Sequence, residues 1–217
     1  MSRNEELIEL FPELNTENTP FEDSMDKMLL SNRTVFLYGE IDEVSIERVL
    51  KQLIILEHKD ASQPTTLFIS SSGGSIYDAL GLCDYMLMTA MPIKVVVIGK
   101  AMSAASIITI CGTKGLRSAY RNSRFMFHEL SDSANDEKFS DQKIRLEENK
   151  YLMETFTNLI LKRTTISKAQ ISKYNGSEFY VSAEGALKVG IIDSVIGDDL
   201  KSEKNGCVGK KNSRRTR

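Results

Sequence analysis

Ile93–Ile110, IKVVVIGKAMSAASIITI, is the stretch whose reading decides the fold. Its first six residues, Ile93 to Ile98, form an apolar, β-branched run of the kind found in a strand buried on both faces. Gly99 to Ser106 is built of small residues around Ser103, and Ile107 to Ile110 continues as an apolar segment. A serine set among such residues, where a buried strand turns into a helix, presents its hydroxyl at a sharp turn. The turn also aims the first backbone N–H groups of the helix at whatever the hydroxyl attacks. The same pattern serves equally as a packing turn, so the choice between the two depends on the remainder of the chain.

Upstream, Arg33 to Tyr38 (RTVFLY) is a strand by β-branched and aromatic content and is closed by Gly39. Asp42 is placed to cap a helix on which Ile46, Val49, Leu50, Leu53 and Ile54 recur at helical spacing. A second strand, Thr65 to Ser70, leads into Ser71-Ser72-Gly73-Gly74-Ser75. A helix from about Ile76 to Met88 follows, with Ala79, Leu80, Cys83 and Leu87 on one face, and Pro92 ends that unit. This alternation of strand and helix with short connections predicts an α/β fold around a mainly parallel sheet with right-handed crossovers. Ligands bind at the carboxyl ends of strands in such sheets. The Gly73-Gly74 and Ser103 turns both fall there and are expected to be neighbours.

Downstream, Arg124 to His128 (RFMFH) alternates like a strand and ends on a histidine. The other histidine, His58, stands among Glu57, Lys59 and Asp60 and reads as surface. If Ser103 is a nucleophile, His128 is its candidate general base by elimination; otherwise it is a strand-end histidine with a structural hydrogen bond. After a polar loop, Ser131 to Asp136, a charged helix runs from about Phe139 to Lys162. Ile144, Tyr151, Leu152, Phe156, Leu159 and Ile160 make its apolar stripe. At about 35 Å it is long enough to project from the domain and meet a partner, or to pack across its own domain. A short helix over Ile166 to Tyr174, a serine-capped helix over Ser182 to Val189 and a strand over Ile191 to Ile196 close the ordered part.

The 217 residues, 41% hydrophobic, suffice for one sizeable core, read here as residues 32–198. Residues 1–31, acidic and with Pro12 and Pro20, read as a flexible arm whose Leu7, Ile8, Leu10 and Phe11 could dock on a partner. Residues 199–217, basic and nearly without apolar side chains, read as a disordered tail, with a nucleic-acid or membrane contact as the alternative. A net charge of -2 argues against nucleic acid as the main partner. Cys83, Cys111 and Cys207 are odd in number and far apart, which points to a reducing compartment with buried thiols; with two histidines and no close cysteine pair, a metal site is not expected. No apolar run approaches the length of a membrane span and no leader is evident, so a cytoplasmic protein is expected.

Five blocks, FLYGEID, LFISSSGGSIYDAL, GKAMSAAS with CGTKGLR, NSRFMFHEL and YVSAEGALKVGIIDSVI, span about Val35 to Ile196. In their order and spacing the chain resembles the ClpP family of serine peptidases, the proteolytic subunits of Clp protease, which share the crotonase-like fold of repeated β-β-α units with a protruding handle helix. The resemblance implies that Ser103 is the nucleophile and His128 the general base, with the N–H groups of Gly74 and Ala104 as the oxyanion hole. Glu178 stands where the family usually has the aspartate that orients the histidine. A glutamate can fill that role from a backbone set further back, Asn175 is a nearby alternative, and a surface role for Glu178 is the third reading. Ser72 and Leu130 replace family prolines. Gly176-Ser177 replaces a charged pair that joins stacked rings, and Ser131 to Asp136 replaces a glycine-rich strand.

The resemblance further implies heptameric rings, singly or stacked as a tetradecamer through the long helix around a closed chamber. Unfolded proteins or peptides are the implied substrates, an AAA+ Clp unfoldase is the implied partner, and no cofactor is implied. Phe68 matches a position of the unfoldase-docking pocket, with core packing as the alternative. Besides an active endopeptidase of this type, the sequence is compatible with a weakly active or inactive ClpP-like subunit of a mixed ring. A phage maturation protease of the same fold, or acyl-CoA chemistry on the crotonase fold, completes the set of readings.

Overall fold

The computed structural model describes residues 21–128, 138–173 and 178–197. The expectations for residues 1–20, Leu130, Ser131 to Asp136, Asn175, Gly176-Ser177, Cys207 and the basic tail lie outside these.

The chain opens with helix α1 (Phe21–Ser31) and continues through β1 (Thr34–Ile41), α2 (Glu43–Lys59), β2 (Thr65–Gly74), α3 (Ile76–Met88) and β3 (Ile93–Met102). It then forms α4 (Ala104–Cys111), β4 (Arg117–Tyr120), β5 (Arg124–Phe127), α5 (Phe139–Arg163), α6 (Lys168–Lys173), β6 (Phe179–Ser182), α7 (Ala183–Lys188) and β7 (Ser194–Ile196). The sheet order is β1-β2-β3-β4-β7, every neighbouring pair parallel. The expected mainly parallel α/β architecture is what the chain adopts.

The end of β3 leaves this order. Val95 to Val97 pair with β4, but Lys100 to Met102 pair with β5, which in turn pairs antiparallel with β6. Because of that second partner β3 runs on to Met102, past Ile98, where apolar content alone would end it. The ladder between β1 and β2 slips at Gly39/Glu40 and that between β2 and β3 at Ile69/Ser71. Such irregularities bend a strand. Here they lie just before the two small-residue turns.

Helix α2 begins at Asp42, whose carboxylate accepts from Ser45 N–H while Ser45 Oγ accepts from Asp42 N–H, a reciprocal cap. Its buried face is Ile46, Val49, Leu53 and Leu56; Ile54, assigned to that face by spacing, is exposed. On α3 the buried set is Ala79, Leu82, Cys83 and Met86, and Leu87 faces outward. These faces cover Val35, Leu37, Leu67, Ile69, Val95 and Val97 on one side of the sheet. Every residue of α4 is buried, so the helix that starts at Ser103 is held on all sides. Cys83 and Cys111 are free, buried thiols; a hydrogen bond to Cys111 and burial push Cys83 up.

Two differences from the sequence reading concern elements. The stretch expected to be irregular up to Ser31 ends in helix α1, because Leu30 packs on the core and Ser31 and Asn32 close the helix on the Met28 carbonyl. Strands β4 and β6 are additional to the expected set. Each has four residues, and β4 carries the buried polar residues Arg117 and Ser118, so neither shows a strand-like apolar alternation.

Arg117 is 1% exposed and forms a two-pronged pair with Asp193, Nη2 to Oδ1 at 2.6 Å and Nε to Oδ2 at 2.9 Å. The same carboxylate accepts from the backbone of Gly115 and Arg117. Burial pushes Asp193 up, but the Arg117 hydrogen bonds and charge outweigh it and hold the carboxyl below its usual range. A depressed carboxylate stabilises the fold above its unfolded value, about 3.9, and that contribution is lost as pH falls towards the folded value. Asp193→Ala is expected to cost about 3–5 kcal/mol by stranding a buried guanidinium, read as a lower thermal midpoint. Asp193→Asn should flatten the dependence of the midpoint on pH below about 4.

Candidate active site

Ser103 sits between β3 and α4 at φ 53° and ψ -125°, a backbone conformation rare for a residue with a side chain. The turn is over-determined. Ser103 N–H donates to the Met126 carbonyl at 2.8 Å, and the buried Ser106 hydroxyl bridges the carbonyls of Ala101 at 2.7 Å and Met126 at 3.0 Å. The sequence reading assigns Ser106 no role. Its position one turn into an apolar helix, where a hydroxyl needs an acceptor, is the signal that could have found it.

The second turn lies against the first, as the topology predicts. A methyl added at Gly73 would lie 2.8 Å from Ser103 Cβ and 3.3 Å from Ala104 N, so the two backbones touch. Ala104 is the first residue of α4, and its N–H has no carbonyl partner within that helix. Across the turns Lys100 Nζ donates to Ser72 Oγ at 2.7 Å.

His128 follows β5 directly and brings Nε2 to 2.8 Å from Ser103 Oγ. For the hydroxyl to donate to Nε2, the ring proton must be on Nδ1. Ser103, Gly74, Ala104 and His128 are thus gathered at one end of the sheet. Glu178 is placed differently. It is exposed and its Oε2 accepts from the Tyr180 hydroxyl at 2.7 Å, which pushes the Tyr180 phenol up. No hydrogen bond joins Glu178 to His128 among the described residues. His58 is exposed, with Nδ1 donating to Ile54 O at 3.1 Å.

An apolar pocket opens beside the serine and histidine, lined by Ile107, Phe127, Phe156, Ile160, Ile171 and Phe179 among others. Helix α5 supplies much of this wall. Its second half packs inward through Leu152, Phe156 and Ile160, and Arg163 fastens its end to the carbonyls of Ile110 and Gly112. Tyr77, at the start of α3, donates to Glu148 of α5 at 3.0 Å. Ile144 and Tyr151, two residues of the expected apolar stripe, are 67% and 64% exposed. Phe68 lies on the less buried face of the sheet, stacked on Phe36 with ring centroids 5.1 Å apart.

A hydroxyl bonded to an imidazole, beside helix-start N–H groups and an apolar pocket, is the arrangement that hydrolases working by acyl transfer use. A family profile described as Clp protease matches residues 17–199. The chain is 34% identical over 177 residues to "ATP-dependent Clp protease proteolytic subunit 1" of Prochlorococcus marinus subsp. pastoris, covering 82% of this chain and 89% of that one. It is 32% identical to "ATP-dependent Clp protease proteolytic subunit 1" of Thermobifida fusca, over 77% of this chain and 76% of that one. To "ATP-dependent Clp protease proteolytic subunit 4, chloroplastic" of Arabidopsis thaliana it is 33% identical, over 79% of this chain and 59% of that one. The chain belongs to the Clp protease family, a family of peptidases. Among the described residues no helix is long and apolar enough to cross a membrane.

Proposed function

We propose that the chain is a serine endopeptidase subunit that cleaves unfolded polypeptides through an acyl-enzyme on Ser103. The observation that carries this reading is the 2.8 Å contact between Ser103 Oγ and His128 Nε2. A serine hydroxyl is a weak nucleophile until a base takes its proton as it attacks. Oγ adds to the scissile carbonyl, its proton passes to Nε2, and the oxyanion is held by the N–H groups of Gly74 and Ala104. The imidazolium then gives that proton to the departing amine as the C–N bond breaks. Water repeats the sequence to release the acyl group. The pocket beside Ser103 accepts an apolar side chain next to the scissile bond.

Assembly into rings, with a Clp ATPase feeding unfolded chains into a closed chamber in the cytoplasm, belongs to the same proposal. The names of the relatives, proteolytic subunits of an ATP-dependent protease, support it. The exposed Ile144 and Tyr151 on α5 are apolar surface suited to a second subunit, and the Phe36–Phe68 stack offers aromatic surface to a partner. A second reading, a weakly active subunit in a mixed ring, is favoured by one observation: the Glu178 carboxylate is engaged by Tyr180 and not by His128.

The test is labelling of the full-length protein with a fluorophosphonate and mass spectrometry of the adduct. The expected result is a single adduct on Ser103 that disappears in Ser103→Ala and His128→Ala. An assembled oligomer that takes up no probe would overturn the peptidase reading in favour of the second.

A further inference from the structure

We propose that Tyr180 is a positioning residue that competes with His128 for the carboxylate of Glu178, so that its hydroxyl holds the catalytic pair below full activity. The inference rests on the peptidase reading above and concerns residues that the sequence left without a settled role.

Strand register brings the three residues together. In the antiparallel ladder of β5 and β6, Arg124 faces Ser182, Phe125 faces Val181, Met126 faces Tyr180 and Phe127 faces Phe179. The ladder ends there, and the next residue on one side is His128 and on the other Glu178. Directly opposed residues of an antiparallel pair have Cβ atoms about 4.5–5.5 Å apart on the same face, and residues two apart on a strand share that face. The register therefore brings His128, Glu178 and Tyr180 to the same end of the ladder. The imidazole spends Nε2 on Ser103, which leaves Nδ1–H to be oriented by an acceptor. Glu178 is the carboxylate that the register delivers to that position.

Its carboxylate nevertheless points along its own strand, where Tyr180 donates to Oε2 at 2.7 Å. Glutamate has one more side-chain torsion than aspartate, so it can swing between a neighbour two residues along and one across the ladder. A tyrosine hydroxyl has no covalent role in the chemistry above. Its effect is on which of two donors the carboxylate serves. Glu178 and Tyr180 are both exposed, so neither packing nor burial locks the choice.

Tyr180→Phe keeps the ring and removes the competing donor. In the assembled full-length protein it is expected to raise the rate of fluorophosphonate labelling at Ser103, and kcat for a small peptide ester, about five-fold, the net weight of one typical solvent-exposed hydrogen bond. KM should stay the same, since the apolar pocket is untouched. In a Glu178→Gln background the same change should bring no rise. A Tyr180→Phe rate equal to or below the parent's, or a rise that persists in the Glu178→Gln background, would overturn the inference while leaving the labelled serine in place. Absence of label in parent and variants alike would overturn the peptidase reading and this inference together.

Discussion

Ser103→Ala is expected to lower kcat for peptide hydrolysis about a million-fold, and His128→Ala nearly as much. The double variant should be no worse than either alone, because hydroxyl and imidazole act as one unit through their 2.8 Å contact. KM should change little, since the pocket walls of Phe156, Ile160 and Phe179 remain. A different readout separates chemistry from folding. Ser103 carries its side chain at φ 53°, so Ser103→Ala keeps the backbone strain, whereas Ser103→Gly relieves it. Both should be inactive, but Ser103→Gly should melt higher than Ser103→Ala in a thermal scan. Equal midpoints would mean that the turn stores no strain.

The second large effect is expected at the paired glycines. A methyl at Gly74 would run into the Ile41 carbonyl oxygen and lie 2.8 Å from Ile41 N, and Gly74 has φ +149°. That carbonyl also accepts from Ser75 N–H at 2.7 Å, so the backbone it belongs to is pinned. Gly74→Ala must therefore shift the turn that presents the proposed oxyanion donor. Loss of one such donor lowers kcat about 10²–10³-fold. Gly73→Ala presses on Ser103 itself and should lose labelling as well as turnover. Gly81→Ala is the control: nothing lies within 4 Å of the added methyl in the exposed middle of α3, and a gain of up to about 1 kcal/mol is expected. Turnover and thermal midpoint measured together would separate a displaced donor from a failed fold.

Much of the fold is legible in the sequence. The apolar β-branched run of β3 and the helical spacing of α2 and α3 follow from a half-buried or fully buried environment, which composition records. The juxtaposition of Gly73 with Ser103 was readable because a parallel sheet puts the ends of its strands together. The ends of elements were less legible. Residues 99 to 102 of β3 are strand because β5 pairs with them, a long-range cause that local composition does not carry. Ile54 and Leu87 fit the helical period yet face outward, since the width of the buried face depends on the opposing sheet. At the site, Ser103 and His128, singled out by residue type, lie 2.8 Å apart at Oγ and Nε2. The orientation of the Glu178 carboxylate is not legible in the sequence, because it accepts from a hydroxyl two residues away, a local choice that sequence spacing does not rank against a partner far along the chain.

The forked partnership of β3 bears on the order in which a growing chain gains its parts. The residues proposed to act on a peptide bond, Gly74, Ser103, Ala104 and His128, are contiguous in synthesis, and the strands that carry them pair without any later segment. Most of the walls that would hold a side chain come afterwards, from α5, α6, Phe179 and Val189, with only Ile107 and Phe127 made earlier. A nascent chain stopped after His128 would have its reactive pair but only two walls of the pocket beside it. The full seat for a substrate side chain would then exist only once Val189 has been made.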